Sequence, residues 1–514
     1  VPFAFNRLSL GTVLGLLALT VLFRWPVFHP NYVATDEALY LTIADRLVRG
    51  MHLYAEAWEH KPPLTPWFFQ GVVWIFGSGA DLAVKVFTVI YVWLLGLSIA
   101  ALFLHYKPNA RRGWLPGMVY IVLVSAPWYA LELNSELLMT GPALLALGLF
   151  LYYFVDDKKH WLTPAWIGVW CAVCMAFKFQ GFFYVAIFGI TYLMIAPFRL
   201  ADVWLFGVGF GVATLTWLMR LYLLGTLDDF WDLGFVYNLD YIGARPMPGQ
   251  DFSWRGIFNY LFTWGGFIVL TSLGFLGLRA RSYGLSIRER KLEILMTWWL
   301  ILGGIQILLG GSRFYLHYFW FVAPAVAFYV YEALNGFKQV WVYRTMLVVS
   351  LAVPVGLWST YWYAAYDLPY QRLSRYTRPN GWLAGLRQGL QGHPQWLALR
   401  ADLQNLPPET TVLIADYQPE LYRWLGRFCG SKYTDFSMAY FKMDWAEHNR
   451  LALGLLSESE SLARVYQTFE AEKPDYIIDP LGLFAEMKSR IPLLLADYHP
   501  RTVNQWVVYE RKKQ

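Results

Sequence analysis

Residues 36–66 read DEALYLTIADRLVRGMHLYAEAWEHKPPLTP, and the interpretation of this stretch decides the fold. It follows the first long apolar run, Leu8 to Phe28, and opens on two carboxylates. A carboxylate at the mouth of a membrane helix is costly unless it is functional, paired or facing water. Lys61, followed by Pro62 and Pro63, returns the chain toward the membrane a loop's length later. One loop therefore offers a candidate base, Asp36, and a candidate anion-binder, Lys61.

Composition supports a membrane setting. Of the 514 residues, 57% are hydrophobic and only 15% charged, where a soluble chain would carry roughly 25% charged residues. The formal net charge of +6 does not point to nucleic acid, because the basic residues fall in short turns between apolar runs and form no single stripe. Cys171 and Cys174 form a C-x-x-C inside an apolar run, without the second pair of a zinc site, and read with Cys429 as buried small hydrophobes. The opening run is longer than a signal-peptide core and lacks an A-x-A-like cleavage site, so it reads as a retained helix.

Working outward, apolar runs near 8–28, 82–105, 114–133, 137–155, 161–177, 181–198, 202–224, 254–278, 292–311, 318–334 and 339–364 are long enough to cross a bilayer, about eleven crossings. Leu64 to Phe76 is apolar but short and preceded by two prolines, and is expected to lie in the interface. With that segment not crossing, Lys107, Arg111, Arg112, Lys158, Lys159, Arg199, Arg279, Arg281, Arg288, Arg290, Lys291, Lys338 and Arg344 share one side. The positive-inside rule makes that side cytoplasmic. The loop at 29–80, the turn at Asn134 to Glu136, the stretch from Gly225 to Ser253 and the turn at Gly310 to His317 then face outward.

These features predict a polytopic α-helical membrane domain over 1–365 and an extracytoplasmic α/β domain over 366–514. After Ala364 charge density rises and turn sequences such as RPNG and LPPET appear. Strands are expected at Thr411 to Ala415, Tyr476 to Ile478 and Val503 to Tyr509, with helices at Pro419 to Leu425 and Trp445 to Glu472. The polar, aromatic stretch from Trp231 to Asp251 is a candidate lid, or an interfacial loop held by its Trp and Tyr residues.

Charged residues converge on the outward face: Asp36, Glu37, His60, Lys61, Glu136, Lys178, Arg313 and His317, with Tyr315 and Tyr318 as candidate pocket walls. A carboxylate there can take a hydroxyl proton as general base, and the cations can hold a phosphate whose charge develops as a bond breaks. Arg313 is favoured for that by its bidentate fork. Simpler roles exist for each. Asp36 could cap a helix, Glu37 could be a first-turn acid, and Lys61 or Lys178 could anchor at the interface. No cofactor is required by the sequence; a divalent metal held by His60 or His317 with a carboxylate is possible but unsupported.

The segments DEALYLTIADRLVRG, HKPPLTPW, NSELLM and GGSRFYLHYFWFVAP, with VLIADYQPELYRWLGR downstream, together resemble the bacterial membrane glycosyltransferases of the GT-C fold. Within that fold they are most similar to the aminoarabinose transferase and protein O-mannosyltransferase group. The resemblance implies an inverting transfer from a polyprenyl-phosphate sugar donor to a glycolipid, polysaccharide or protein acceptor on the periplasmic face of a bacterial inner membrane. It implies Asp36 as catalytic base, Glu136 as the acidic residue of the second outward loop, and Lys61 as the lysine that contacts donor phosphate; Arg313 and Lys178 are further candidate phosphate contacts from their placement on the same side. Aminoarabinose transferases tend to have glutamate where this chain has His60, so the sugar does not carry over. Two other readings remain at this stage: a polyprenyl-linked sugar transporter or flippase, which would place charges near the midplane, and a lipid-diphosphate-dependent glycan polymerase or ligase.

Overall fold

A computed structural model describes residues 4–28, 35–107, 112–125, 131–158, 160–238, 268–279, 285–309, 316–336, 345, 348, 394–407, 409–415, 419–432, 469–479, 484, 495–503 and 506–512. The first described long helix, α1 (Leu10–Arg24), begins where the Ser9 side chain accepts from Thr12 N at 3.1 Å. It is followed by α2 (Thr35–Val48), α3 (Leu64–Phe76), α4 (Ala80–Tyr106), α5 (Leu115–Ser125), α6 (Ser135–Phe150), α7 (Thr163–Phe177), α8 (Phe182–Ile195), α9 (Leu200–Leu223) and α10 (Leu227–Phe230). Four described helical stretches are long and apolar enough to cross a membrane: Leu10–Phe28, Leu64–Tyr106, Ser135–Val155 and Leu200–Leu223. Shorter apolar helices include α5, α7 and Ile268–Arg279, here α11. α12 (Ile287–Leu309) and α13 (Ala323–Gly336) complete the described bundle. The expected span at 339–364, most of that at 254–278, and the residues after Asn238 in the candidate lid lie outside the described residues.

Leu64–Tyr106 comprises two helices, α3 and α4, joined at Gly77 through a 3-10 turn. Gly77 adopts φ +52°, ψ −122°, a backbone conformation open in practice only to glycine, and the chain turns there between α3 and α4. Both ends of α3 lie at the same end of the bundle. Near its start, the Thr65 hydroxyl donates to Phe177 O and lies within hydrogen-bond distance of Ser135 Oγ, each at 3.0 Å. Just past its end, Asp81 pairs with Arg423, which also holds Asp45 of α2.

Burial follows from position in the bundle. α6 is apolar all round and is enclosed on nearly every side, as a central membrane helix should be. α9 instead leaves Leu200, Trp204, Val208, Val212, Leu215, Met219 and Tyr222 exposed, a stripe at helical spacing that suits lipid. Its other face meets α7 so closely that a Cβ on Gly168 would lie 2.1 Å from Phe206 O and one on Gly209 1.9 Å from Ala165 O. Small residues at a crossing let two backbones approach, which is how helices associate where no hydrophobic driving force separates them from lipid.

Polar residues collect at the two ends. At one end His105 Nε2 meets Asp156 Oδ2 at 2.8 Å, Lys107 pairs with Glu332, Arg279 Nε lies 3.3 Å from Glu293, and Lys291 donates to Phe154 O at 2.9 Å. At the other end stand Arg24, Asp36, Lys61, Glu136, Lys178 and His317.

Beyond the bundle lies a small five-stranded sheet in the order β2-β1-β3-β5-β4: β1 (Thr411–Ile414), β2 (Phe428–Cys429), β3 (Tyr476–Asp479), β4 (Tyr498–Val503) and β5 (Trp506–Arg511). β1 runs parallel to β2 and β3, and β5 pairs antiparallel with β3 and β4. Helices α14 (Pro394–Gln404) and α15 (Glu420–Leu425) cover it over Leu399, Leu403, Val412, Ile414, Leu421 and Val508. The single strand expected from Val503 to Tyr509 is instead a hairpin, with Val503 pairing Trp506 across its turn. Apolar pattern alone ran through that turn. Of the helix expected from Trp445 to Glu472, only 469–472 is described, and it is helical.

The sorting of charge predicts a labelling pattern. In a variant lacking Cys171, Cys174 and Cys429, Glu56→Cys and Lys158→Cys occupy exposed positions at opposite ends of the bundle. An impermeant maleimide added to sealed spheroplasts should modify the first, and the second only after lysis. Labelling of both from outside would place the two ends in one compartment.

Candidate active site

The site is built on α2 and on the two loops that meet its first turn. Asp36 lies in that turn, and its backbone N–H donates to Glu132 Oε2 at 3.2 Å. Glu37 answers from the other direction, accepting from Leu133 N at 3.0 Å. The helix start and residues 131–134 thus hold each other by reciprocal side-chain caps, the logic of a capping box spread over two loops. Arg24 fixes the second loop from behind. Only 1% exposed, it donates to Ser125 Oγ (3.1 Å), Val124 O (3.1 Å) and Leu131 O (3.2 Å).

Lys61 arrives from the far side of the first loop. Its Nζ is 3.6 Å from Asp36 Oδ2, hydrogen-bonds Tyr40 OH and lies over the Tyr40 ring. Tyr40 is one helical turn beyond Asp36, so both face the lysine. The lysine is aimed by its own loop: buried Glu59 accepts from His60 N (2.8 Å) and Lys61 N (3.0 Å), and Tyr54 OH donates to Lys61 O (2.8 Å). Burial works against the ammonium charge, but the carboxylates of Asp36, Glu59 and Glu136 outweigh it and hold Lys61 well above the ordinary lysine pKa. It is a fixed cation.

Behind this pair lies a second group. Glu136, in the first turn of α6, pairs with Lys178, and His317 Nε2 stands 3.4 Å from its Oε1. Lys178 also lies 4.4 Å over the Tyr318 ring. Hydroxyls connect the groups, Tyr40 OH to Ser135 Oγ at 3.5 Å and Ser135 Oγ to Thr65 at 3.0 Å. The charges of Asp36, Lys61, Glu136 and Lys178 all act on His317. Asp36, Glu37, Lys61, Glu136, Lys178, His317 and Tyr318 are thus gathered at one end of the bundle. His60 is beside them, its ring 3.2 Å from Glu59 and its carbonyl accepting from Asn238. Arg313 and Tyr315 lie outside the described residues.

Glu132, Arg24 and Tyr40 were not singled out by sequence. The signal for Glu132 was present, an acid in LELNSE two residues before the Asn134 cap of α6. Burial, followed by the charges of Asp36 and Glu37, pushes Glu132 well above the usual carboxylate range. Among the described residues no group of three or more His, Cys, Asp or Glu side chains is placed to hold a metal, and Lys61 already supplies a cation to Asp36.

This geometry can be set beside known proteins. Over 96% of this chain and 72% of the other, the structure resembles the oligosaccharyltransferase of Archaeoglobus fulgidus in its apo form, with a TM-score of 0.51 at 15% sequence identity. The two share a GT-C type of fold. A second structure of that enzyme, in complex with zinc and sulfate, aligns over 98% of this chain and 73% of its own with a TM-score of 0.46 at 14% identity. No protein-family model and no curated protein matches the sequence.

One side chain makes the site's assembly depend on pH. Burial raises Glu37 from its ordinary 4.5 to about 7, against the opposing effects of the Leu133 N–H and of Lys85 and Arg24. The folded chain therefore holds this proton more tightly than the unfolded chain. The stabilisation is complete below pH 4.5 and is lost as pH rises through about 7. Glu37→Gln keeps an acceptor for Leu133 N and carries no charge. It should be more stable than the parent at pH 8, by on the order of 1–3 kcal/mol, and no more stable at pH 4. Thermal unfolding in detergent checks this; an equal difference at both pH values would mean that Glu37 does not titrate there.

Proposed function

We propose that the chain is a membrane glycosyltransferase that moves a sugar from a polyprenyl-phosphate donor to an extracytoplasmic hydroxyl or amine, with inversion. The observation that carries the reading is the Asp36–Lys61 pair, a carboxylate and a fixed cation held 3.6 Å apart at the outward end of an apolar bundle. The fold shared with an oligosaccharyltransferase supports it. Asp36 takes the acceptor proton as the acceptor oxygen or nitrogen attacks the anomeric carbon from the face opposite the phosphate. Lys61 stabilises the departing lipid phosphate, aided by Lys178 and Arg313. A phosphate leaves readily, so a single displacement suffices and inverts the centre.

Glu136 has a supporting part in this scheme. One of its oxygens is engaged by Lys178 and His317, which ties it to the cations. Its other oxygen, Oε2, is buried without a hydrogen-bond partner among the described residues, and so can receive a hydroxyl or ammonium of the acceptor. Of the other readings, a flippase is disfavoured because these charges stand at one end of the bundle and not near its middle. His60 and Tyr318 would line the pocket, and the periplasmic face of a bacterial inner membrane is the setting that the positive-inside count supports.

Asp36→Asn should lower transfer by roughly 10² to 10⁴ while leaving binding of a lipid phosphate nearly intact, because an amide keeps the shape and cannot accept the proton. Lys61→Ala should weaken both binding and turnover, since a charge-assisted phosphate contact acts in the bound and the breaking state. Single-turnover transfer by purified protein, with a farnesyl phosphate titration alongside, separates the two. Unchanged turnover in Asp36→Asn would remove it from the mechanism.

A further inference from the structure

The loop that carries Lys61 is held from outside the membrane domain. Arg46, near the end of α2 and 4% exposed, donates through Nε to Glu56 O at 3.0 Å, through Nη1 to Cys429 O at 2.8 Å and through Nη2 to Glu472 Oε1 at 3.1 Å. The first bond belongs to the loop and the other two to the sheet domain. Two residues on, the backbone of Trp58 donates to Lys432 O at 2.9 Å, and three residues after Trp58 comes Lys61. At the same face Arg423 of α15 pairs with Asp45 of α2 and, at 2.5 Å, with Asp81 of α4. Arg49 lies 3.8 Å over the Phe428 ring.

α2 therefore carries Asp36 at its first turn and the docking residues Asp45, Arg46 and Arg49 in and just beyond its last. At 1.5 Å per residue its 14 residues make a strut of about 21 Å. The strut is clamped along its length: Leu39, Ile43 and Leu47 pack with Leu53, Tyr54, Ala57, Leu221 and Phe230. A rigid element held at both ends transmits position, and a loop tied through Glu56 O to Arg46 and through Trp58 N to Lys432 O has little freedom of its own. Removing the sheet domain's contacts would free residues 51–61 and with them the direction of Lys61.

We propose that the C-terminal sheet domain positions the phosphate-binding lysine: docked through Arg46 and Arg423, it holds residues 51–61 in the conformation that brings Lys61 to Asp36. Arg46 and Arg423 are positioning residues that touch no substrate. The proposal rests on the transferase reading for its consequence in turnover, but its structural half stands apart from that reading.

Arg423→Ala in the full-length protein tests it, because Arg423 is on the docking face and remote from the reacting groups. Hydrogen exchange of the peptide covering 51–61 should accelerate about tenfold or more, while peptides of α6 and α7 keep their protection. The affinity for farnesyl phosphate should fall about tenfold, and Arg423→Lys, which retains the charge and loses the fork, should fall between. If Arg423→Ala does not fold, Asp45→Asn with Asp81→Asn removes the same ion pairs from the other side with no change of shape, and the same two results are expected. Unchanged exchange at 51–61 in a folded variant would overturn the proposal, as would unchanged affinity despite faster exchange. If the wild-type protein transfers no sugar yet these shifts occur, the transferase reading fails and the positioning role stands.

Discussion

A carboxylate and an ammonium ion cannot both be withdrawn from water unless each answers the other, and the Asp36–Lys61 pair is where this chain meets that requirement. The two residues come from opposite ends of a loop, so the loop has to close on itself to join them. Its closure is made of backbone bonds: Glu59 gathers the N–H groups of His60 and Lys61, Tyr54 holds the Lys61 carbonyl, and Arg46 holds that of Glu56. A buried pair contributes little net stability, yet losing one partner is expensive. The pair therefore serves better as a device that specifies one conformation, and the conformation it specifies exposes a base beside a cation.

The same principle organises the surrounding groups. Glu136 would be prohibitive at the start of a buried helix were it not met by Lys178 and His317. Arg24 is tolerated because it spends its donors on carbonyls and a hydroxyl that α5 and the second loop leave unpaired at their ends. Burial holds Glu132 and Glu37 above the ordinary carboxylate range, which lowers the cost of withdrawing them from water. This end of the bundle is thus a polar layer of paired ionic groups, with Glu59 Oε2 and Glu136 Oε2 buried without a hydrogen-bond partner among the described residues, built on an apolar platform that supplies rigidity. Preorganised charge of this kind is what a reaction with a developing phosphate charge uses best.

The platform itself was legible in the sequence. Long apolar runs bounded by charged turns predicted α1, α4 and α6 to α9 with ends shifted by a few residues, and the start of α5, because hydrophobic length is a local property of the chain. The break between α3 and α4 falls at Gly77, whose positive φ lets the chain turn there. Asp36 and Lys61 stood out because charge beside hydrocarbon demands a cause. In the sheet domain, β1 and β3 were found from their apolar runs. β2 was missed because two residues show no pattern, and the hairpin of β4 and β5 was merged because its strands are contiguous in composition.

Sequence by itself marked the segments that are long and apolar enough for a membrane and drew attention to Asp36 and Lys61, since each follows from length, periodicity or local charge. Only the tertiary structure decided the pairings: Glu132 with the first turn of α2, Glu136 between Lys178 and His317, Arg46 and Arg423 between the membrane domain and the sheet. These partners are separated by 42 to 383 residues. No local pattern encodes such a contact, because what selects it is the cost of leaving a buried charge or backbone group unanswered once the helices have packed.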